Sequence, residues 1–98
     1  MKFGLNRLDT RSPADFAADA KRLEDLGWAY GFIPSSPLLG RDPYVMLAAG
    51  LTATSSMVLG PLIENPVMRH PAVIAGSIAT VDELAPGRAF LGMGVGDT

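Results

Sequence analysis

Cysteine is absent from this sequence of 98 residues, and histidine occurs only once. A chain without cysteine forms no disulfide and no thiolate metal site, and a single histidine makes neither a metal site nor a catalytic triad. The absence of cysteine is compatible with a reducing compartment, and we expect a cytoplasmic protein. Charged residues make up only 18% of the chain and hydrophobic residues 48%, which indicates heavy burial and argues against disorder.

Basic clusters and long apolar runs are missing as well. The formal net charge is −2 and the eight Lys and Arg residues are scattered, so the sequence has no electrostatic footprint for nucleic acid. The N-terminus has no apolar run typical of a signal peptide. No stretch approaches the ~20 apolar residues that a membrane-spanning helix needs. We therefore expect neither nucleic acid nor a membrane as a partner.

Short apolar runs alternate with stretches of helical character. The apolar runs predict four strands, over 2–6, 28–33, 57–63 and 89–95. A helix is predicted to begin after Ser12, whose side chain precedes Pro13 as an N-cap, and Gly27 suits its C-terminal end. Two further helices are predicted over about 43–54, opened by Asp42, and over about 71–84.

The order of these elements is that of repeated βαβ units. Strand starts lie about 26 to 32 residues apart, which is the size of one such unit. Units of this kind give parallel strands with right-handed crossovers, and both faces of the sheet are covered. The sequence therefore predicts an α/β fold of (βα)₃β pattern. Periodicity alone leaves a barrel and an open doubly wound sheet as alternatives.

Three consecutive stretches carry a family resemblance. They are RDPYVMLAAGLTATSSMVLGPLIENP (Arg41–Pro66), MRHPAVIAGSIATVDELAPGR (Met68–Arg88) and AFLGMGVGD (Ala89–Asp97). In this order they resemble successive signatures of the luciferase-like oxidoreductases, above all the branch similar to methylenetetrahydromethanopterin reductase. The resemblance runs unbroken from Lys2 to Thr98.

The resemblance implies a TIM (β/α)₈ barrel whose cofactor, reduced FMN or the deazaflavin coenzyme F-420, lies across the carboxyl ends of the strands. It implies monooxygenation or hydride transfer on a small organic substrate. A barrel has eight strands, so we expect residues 1–98 to be a partial barrel domain with the remainder absent from this chain. Two alternatives are a non-catalytic truncated relative that acts only through association, and a Rossmann-like half-domain with a helix after Gly96.

The cofactor side of the site is expected at the strand ends. The resemblance places a bulge with a non-proline cis peptide behind the ring system, and the matching bond is Leu62–Ile63. Asn65 can bind ring heteroatoms or cap its own turn. Ser35 can contact cofactor or substrate or lie in a polar loop. The glycines of the last strand, of which Gly94 and Gly96 are the cofactor candidates, share one strand face and leave room for a flat ring.

Glu64 and Asp97 are the candidate catalytic carboxylates. Glu64 stands where the family has a small hydroxyl residue, and it either handles a proton or is a solvated charge. Asp97 either handles a proton or caps a following helix. Asn6 and Ser35 are neutral where the reductase-like branch has acidic residues. This departure argues against the methanopterin reaction itself.

The remaining expectations concern the RHP stretch and a dimer. His70 precedes Pro71 and either caps the third helix or contacts the cofactor. Arg69 either binds a phosphate or a carboxylate or is solvated.

Residues 44–54 and 72–81 contain no charged side chain, so the outer faces of the second and third helices are unusually apolar. We expect a homodimer through helices 44–54 and 71–84, as the resemblance also implies.

Overall fold

Strands and helices alternate along the chain in a computed structural model that describes residues 1–6, 9–36 and 38–95. The strands are β1 (Gly4–Asn6), β2 (Tyr30–Ile33) and β3 (Val58–Pro61). The helices are α1 (Pro13–Asp25), α2 (Pro43–Ala53) and α3 (Pro71–Leu84). Each strand is shorter than the apolar run that predicted it, because the run also contains residues that lead into and out of the hydrogen-bonded ladder.

The helices begin where local chemistry predicts. Ser12 caps α1 by accepting from the Asp15 N–H at 3.1 Å, and Asp42 caps α2 by accepting from the Val45 N–H at 3.0 Å. Each helix then opens with proline, whose fixed φ suits the first turn. After α1, Gly27 adopts a positive φ of 99°, the left-handed conformation that ends a helix.

The sheet is parallel and its strands lie in the order β1-β2-β3. Asn6 pairs with Phe32, and Phe32 pairs with Gly60, so the carboxyl ends of the strands reach one common edge. The strand order follows the chain order, as in a singly wound barrel, whereas a doubly wound sheet reverses direction. The predicted α/β class with parallel strands is confirmed.

The predicted fourth strand, 89–95, is not a continuous strand. The segment lies beside β3 and runs parallel to it, with isolated bridges at Leu59–Ala89 and Glu64–Met93. Between these bridges the chain advances five residues on the β3 side and four on the other. One extra residue therefore bulges out after β3, and a bulge interrupts the regular ladder.

The hydrophobic core lies on one face of the sheet, under the three helices. Leu47 and Leu51 of α2, Ile74 of α3 and Leu59 of β3 are at most 1% exposed, and Phe16 of α1 packs against them. The opposite face presents an apolar groove lined by Tyr30, Phe32, Val58 and Phe90. Helices on one face only are what the outer layer of a barrel requires.

Among the helices that the structure describes, none combines the length and the apolar character needed to cross a bilayer.

Candidate functional site

Most of the residues predicted for the site meet at the carboxyl edge of the sheet. The Ser35 N–H, just past β2, donates to the Ile63 carbonyl at 3.4 Å. Glu64 donates its N–H to the Gly92 carbonyl at 2.7 Å, and its carbonyl accepts from the Gly94 N–H at 3.1 Å. The end of β3 thus lies between the loop after β2 and the glycine-rich segment.

The bulge after β3 contains Leu62 and Ile63, and the peptide bond between them is cis, as the resemblance implies. Both side chains are only partly buried, as are Ser35, Asn65 and Gly94. The Leu62 N–H donates to the Ile33 carbonyl at 2.9 Å, which attaches the bulge to β2. The bulge therefore offers an accessible apolar surface that the main chain holds on both sides.

The segment 88–94 fits closely against the bulge because glycine occupies position 92. A Cβ built on Gly92 would lie 2.8 Å from Leu62 Cδ1 and 3.0 Å from the Pro61 carbonyl oxygen. Ala89 and Leu91 pack toward the core under the helices. Phe90 lies on the opposite face, against Phe32, with ring centroids 5.4 Å apart. By alternation Gly92 also lies on that face, where it adds no side chain beside the bulge.

The Asn65 side chain links two loops of this edge. Its Nδ2 donates to the Val95 carbonyl at 2.9 Å, and its Oδ1 accepts from the Val67 N–H at 2.8 Å. The second bond is the local capping contact that the sequence offered as the alternative to a cofactor contact. The side chain is partly exposed, so its role in shaping the loop coexists with a position beside the bulge.

Glu64 is not a solvated charge, one of the two interpretations of its sequence position, because it is only 1% exposed. Its Oε2 accepts from the Tyr44 hydroxyl at 2.7 Å, and its Oε1 accepts from the Asn65 N–H at 2.9 Å. The guanidinium of Arg69 lies 3.6 Å from Oε2. A buried carboxylate is stable only when it is paired and hydrogen-bonded, and these three groups meet that requirement.

Tyr44 is the site-region residue that sequence reasoning missed. It is 6% exposed at the start of α2, and burial together with the hydrogen bond to Glu64 raises the pKa of its hydroxyl above the ordinary tyrosine value. The hydroxyl therefore stays protonated and acts as a donor. The available signal was an aromatic side chain with a hydroxyl group at the start of a helix that has no charged residue.

Arg69 meets carboxylates, one of the outcomes expected for it. Its Nη2 donates to Asp42 Oδ1 at 2.9 Å, and its guanidinium carbon lies 5.0 Å from the centroid of the Tyr44 ring.

His70 caps α3, since its Nδ1 accepts from the Ala72 N–H at 3.0 Å. Two of the remaining candidates, Gly96 and Asp97, lie outside the residues that the structure describes.

These residues fit a flat, partly apolar ring system. The bulge supplies an apolar surface, and Gly92 leaves the adjoining strand face without a side chain. Ser35, whose N–H binds the Ile63 carbonyl, and Asn65, two residues after Ile63, carry groups that form hydrogen bonds. A site of this kind, apolar with a few polar groups at its margin, is typical of cofactor pockets. Its place at the carboxyl edge of parallel strands matches the active face of TIM barrels.

Comparisons with known proteins agree with this architecture. The chain is 38% identical to the 5,10-methylenetetrahydromethanopterin reductase of Methanopyrus kandleri over 98 residues, which are 99% of this chain and 28% of that protein. It is 38% identical over 89 residues to the F420-dependent glucose-6-phosphate dehydrogenase of Kineococcus radiotolerans, covering 86% of this chain and 26% of that protein. The chain thus spans about 28% of the length of the first of these curated relatives.

Solved structures show the same likeness. The coenzyme F420-dependent tetrahydromethanopterin reductase from Methanopyrus kandleri superposes with a TM-score of 0.90 at 38% identity, covering 98% of this chain and 27% of that one. The oxygenating constituent of 3,6-diketocamphane monooxygenase from Pseudomonas putida, solved in complex with FMN, shares the fold with a TM-score of 0.83 at 23% identity, covering all of this chain and 30% of that one. The family model described as luciferase-like monooxygenase matches residues 1–98. The chain belongs to the luciferase-like monooxygenase family.

Proposed function

We propose that this chain supplies part of the cofactor-binding site of a flavin- or deazaflavin-dependent oxidoreductase. The observation that carries the proposal is the bulge at Leu62–Ile63, which is accessible, apolar and held between β2 and the segment 88–94. Leu62 and Ile63 would hold the ring of the cofactor on this surface. The bound ring would supply the hydride-transfer or oxygen-activating chemistry, which no side chain of this chain provides by itself.

Coenzyme F-420 and reduced FMN are the two cofactors that suit the site. Relatives of 38% identity carry F420 in their names, which supports the deazaflavin. The accessible surface of Leu62 and Ile63 has no charge and accepts either ring system. We therefore propose to test F-420 first and FMN beside it.

Ser35 and Asn65 are proposed to orient the ring edge by hydrogen bonds, and Gly94 and Gly96 to leave room for the ring. We propose Asp97 as the carboxylate that handles a proton near the substrate, because it follows the glycine-rich segment directly.

Glu64 was the second predicted catalytic carboxylate. Its oxygens face the Tyr44 hydroxyl, the Asn65 N–H and Arg69, so we assign it no contact with substrate.

The substrate is proposed to be a small organic molecule other than methylenetetrahydromethanopterin. Asn6 and Ser35 lie at the same edge and are neutral. A proton relay that used acidic residues at these two positions is therefore not available. The reaction type, hydride transfer or monooxygenation, follows from the cofactor that binds.

A homodimer through α2 and α3 is proposed for the whole protein. The two helices enclose a surface groove lined by Tyr44, Val45, Ala48, Val73, Gly76, Ser77, Thr80 and Val81. Val45 is 56% exposed and Val73 53% exposed, so the groove has apolar rims. A two-fold axis through this groove would bury both rims at once.

Cofactor titration of the protein at its full natural length tests the proposal. We expect the wild type to bind F-420 or reduced FMN, and Ile63→Asp to abolish binding because it places a buried charge under the ring. Ala18→Asp adds the same charge to an exposed position of α1 and should bind as the wild type does. Failure of the wild type to bind either cofactor, or unchanged binding by Ile63→Asp, would contradict the proposal.

A further inference from the structure

A buried pair, Tyr44 and Glu64, lies directly behind the proposed cofactor surface. The tyrosine is 6% exposed and the glutamate 1% exposed, and a hydrogen bond of 2.7 Å joins the hydroxyl to Oε2. The pair joins α2 to the end of β3, two parts of the chain that are 20 residues apart. The cofactor chemistry proposed above uses neither side chain.

Glu64 holds the local main chain at three points. Its backbone N–H and carbonyl bind Gly92 and Gly94, at 2.7 Å and 3.1 Å. Its Oε1 binds the N–H of Asn65 at 2.9 Å. Side chain and backbone of one residue therefore fix both the glycine-rich segment and the start of the following loop. Leu62 and Ile63 immediately precede this anchored residue.

We propose that Tyr44 is a positioning residue for the cofactor. Its hydroxyl holds the Glu64 carboxylate in one orientation, and the carboxylate in turn fixes the surface that Leu62 and Ile63 present to the ring. Binding groups reach full affinity only when the residues behind them lock their geometry. This inference rests on the proposed cofactor site and adds a residue on α2 that controls its affinity.

Arg69 also contacts the Glu64 carboxylate, but its contact differs from the hydrogen bond that Tyr44 makes. Its Nε lies 3.6 Å from Glu64 Oε2, a longer contact than the hydroxyl makes, and its Nη2 is bound to Asp42. The arginine therefore compensates the charge of the buried carboxylate, while the tyrosine sets its direction. Removal of the Tyr44 hydroxyl alone leaves the charge of the Glu64 carboxylate compensated by Arg69 and leaves the aromatic ring of residue 44 in place.

The test is Tyr44→Phe in the protein at its full natural length, with F-420 and reduced FMN as probes. Kd is measured by cofactor fluorescence or absorbance, at a temperature far below the midpoint of thermal unfolding. We expect Kd to rise about tenfold, together with a changed absorption or circular-dichroism spectrum of the bound cofactor. Tyr30→Phe removes the hydroxyl of the other tyrosine, at the amino end of β2, and should leave Kd within about twofold of the wild type.

Two variants of Glu64 separate positioning from other roles. Glu64→Gln can still accept from Asn65 and can donate to the Tyr44 oxygen, so its Kd should stay within about threefold of the wild type. Glu64→Leu loses both bonds and should raise Kd at least as much as Tyr44→Phe does. A Glu64→Leu protein that binds the cofactor with the Kd of the wild type would overturn the positioning role, because the carboxylate would then not control the cofactor surface.

The outcomes are distinct from those of the cofactor proposal. If the wild type binds a cofactor and Tyr44→Phe binds it with the same Kd and spectrum, the positioning role is wrong while the cofactor site stands. A lower unfolding midpoint in Tyr44→Phe with unchanged Kd and spectrum also overturns the positioning role, because it shows a purely structural tyrosine. If the wild type binds neither cofactor, the proposed function is wrong, and the positioning role, which depends on it, is wrong as well.

Discussion

The carboxylate of Glu24, on α1, organises the turn that leads into β3. It accepts from the backbone N–H groups of Ser55, Ser56 and Met57 at distances of 2.8–3.1 Å. Burial raises the pKa of Glu24, but the backbone hydrogen bonds from Ser56, Ser55 and Met57 outweigh this effect and lower the pKa to about 2. The ionised form is therefore the one that stabilises the fold.

Glu24→Gln should lower the free energy of unfolding by about 2 kcal/mol at pH 7. The pKa of Glu24 is lower in the folded state than in the unfolded state. Its contribution is therefore complete above about pH 4.5 and is lost as pH falls toward about 2. The difference between wild type and variant in urea unfolding should shrink by more than half at pH 3.

Glu83→Gln, at an exposed position of α3, is the matched control and should change the unfolding free energy by less than about 0.5 kcal/mol. A Glu24→Gln effect that is as large at pH 3 as at pH 7 would show that the carboxylate charge is not what stabilises the turn.

At the scale of elements, the C-terminus of α2 depends on a side chain from a distant part of the chain. The guanidinium of Arg88 donates to the carbonyls of Leu51, Thr54 and Met57 at 3.0–3.1 Å, and to the Thr54 hydroxyl at 3.0 Å. The last carbonyls of a helix have no partner within the helix. Arg88 supplies that partner, and through it the segment after α3 holds α2 in place.

Arg88→Lys should destabilise the protein by about 2 kcal/mol, because one ammonium cannot reproduce the planar fork that reaches all four acceptors. The measurement is the free energy of unfolding in urea. Arg22→Lys alters an exposed ion pair with Asp19 and should cost less than about 0.5 kcal/mol. Equal effects of the two substitutions would contradict the capping role of Arg88.

Local chemistry explains why the helix starts were predictable and these supports were not. Ser12, Asp42 and His70 each act on an N–H group two or three residues away, so the sequence shows both partners together. Arg88 acts on groups 31–37 residues away, and only the folded chain brings them together. The pairing of Tyr44 with Glu64 escaped prediction for the same reason.

The strand positions were predictable, but their bounds were not. The apolar run 57–63 marked the place of β3, yet the ladder ends at Pro61 because the bulge follows. The run 89–95 marked a neighbour for β3, but the same bulge and the glycines keep it from forming a regular strand. The family resemblance, which rests on the same residues, located the cis bond that periodicity cannot show.

At the scale of the whole molecule, the uncovered sheet face decides the behaviour of these 98 residues in isolation. Tyr30, Phe32, Val58 and Phe90 form an apolar groove on the face opposite the helices that the structure describes. Monomers rarely expose a continuous apolar surface of this kind. We expect the isolated segment to self-associate at micromolar concentration in sedimentation velocity, and a sharp monomer boundary there would contradict this expectation.

The proposed dimer can be tested without disturbing the subunit. A Cβ built on Gly76 finds nothing within 4 Å among the described residues, so Gly76→Glu fits inside the subunit and changes only its outer surface. In the protein at its full natural length, this charge should convert the dimer to a monomer in light scattering at low concentration. Ala18→Glu, on the exposed side of α1, should remain dimeric. A Gly76→Glu protein that also remains dimeric would place the interface elsewhere.

The cofactor site is tested most sharply by a crystal structure of the protein at its full natural length with F-420 or FMN bound. We expect the ring in van der Waals contact with Leu62 and Ile63, with Ser35 and Asn65 at its margin and the Gly92–Gly94 backbone beside it. The Tyr44–Glu64 hydrogen bond should be intact behind the bulge. A ring bound in the groove between α2 and α3, or at the amino edge of the sheet, would show that the proposed site is wrong.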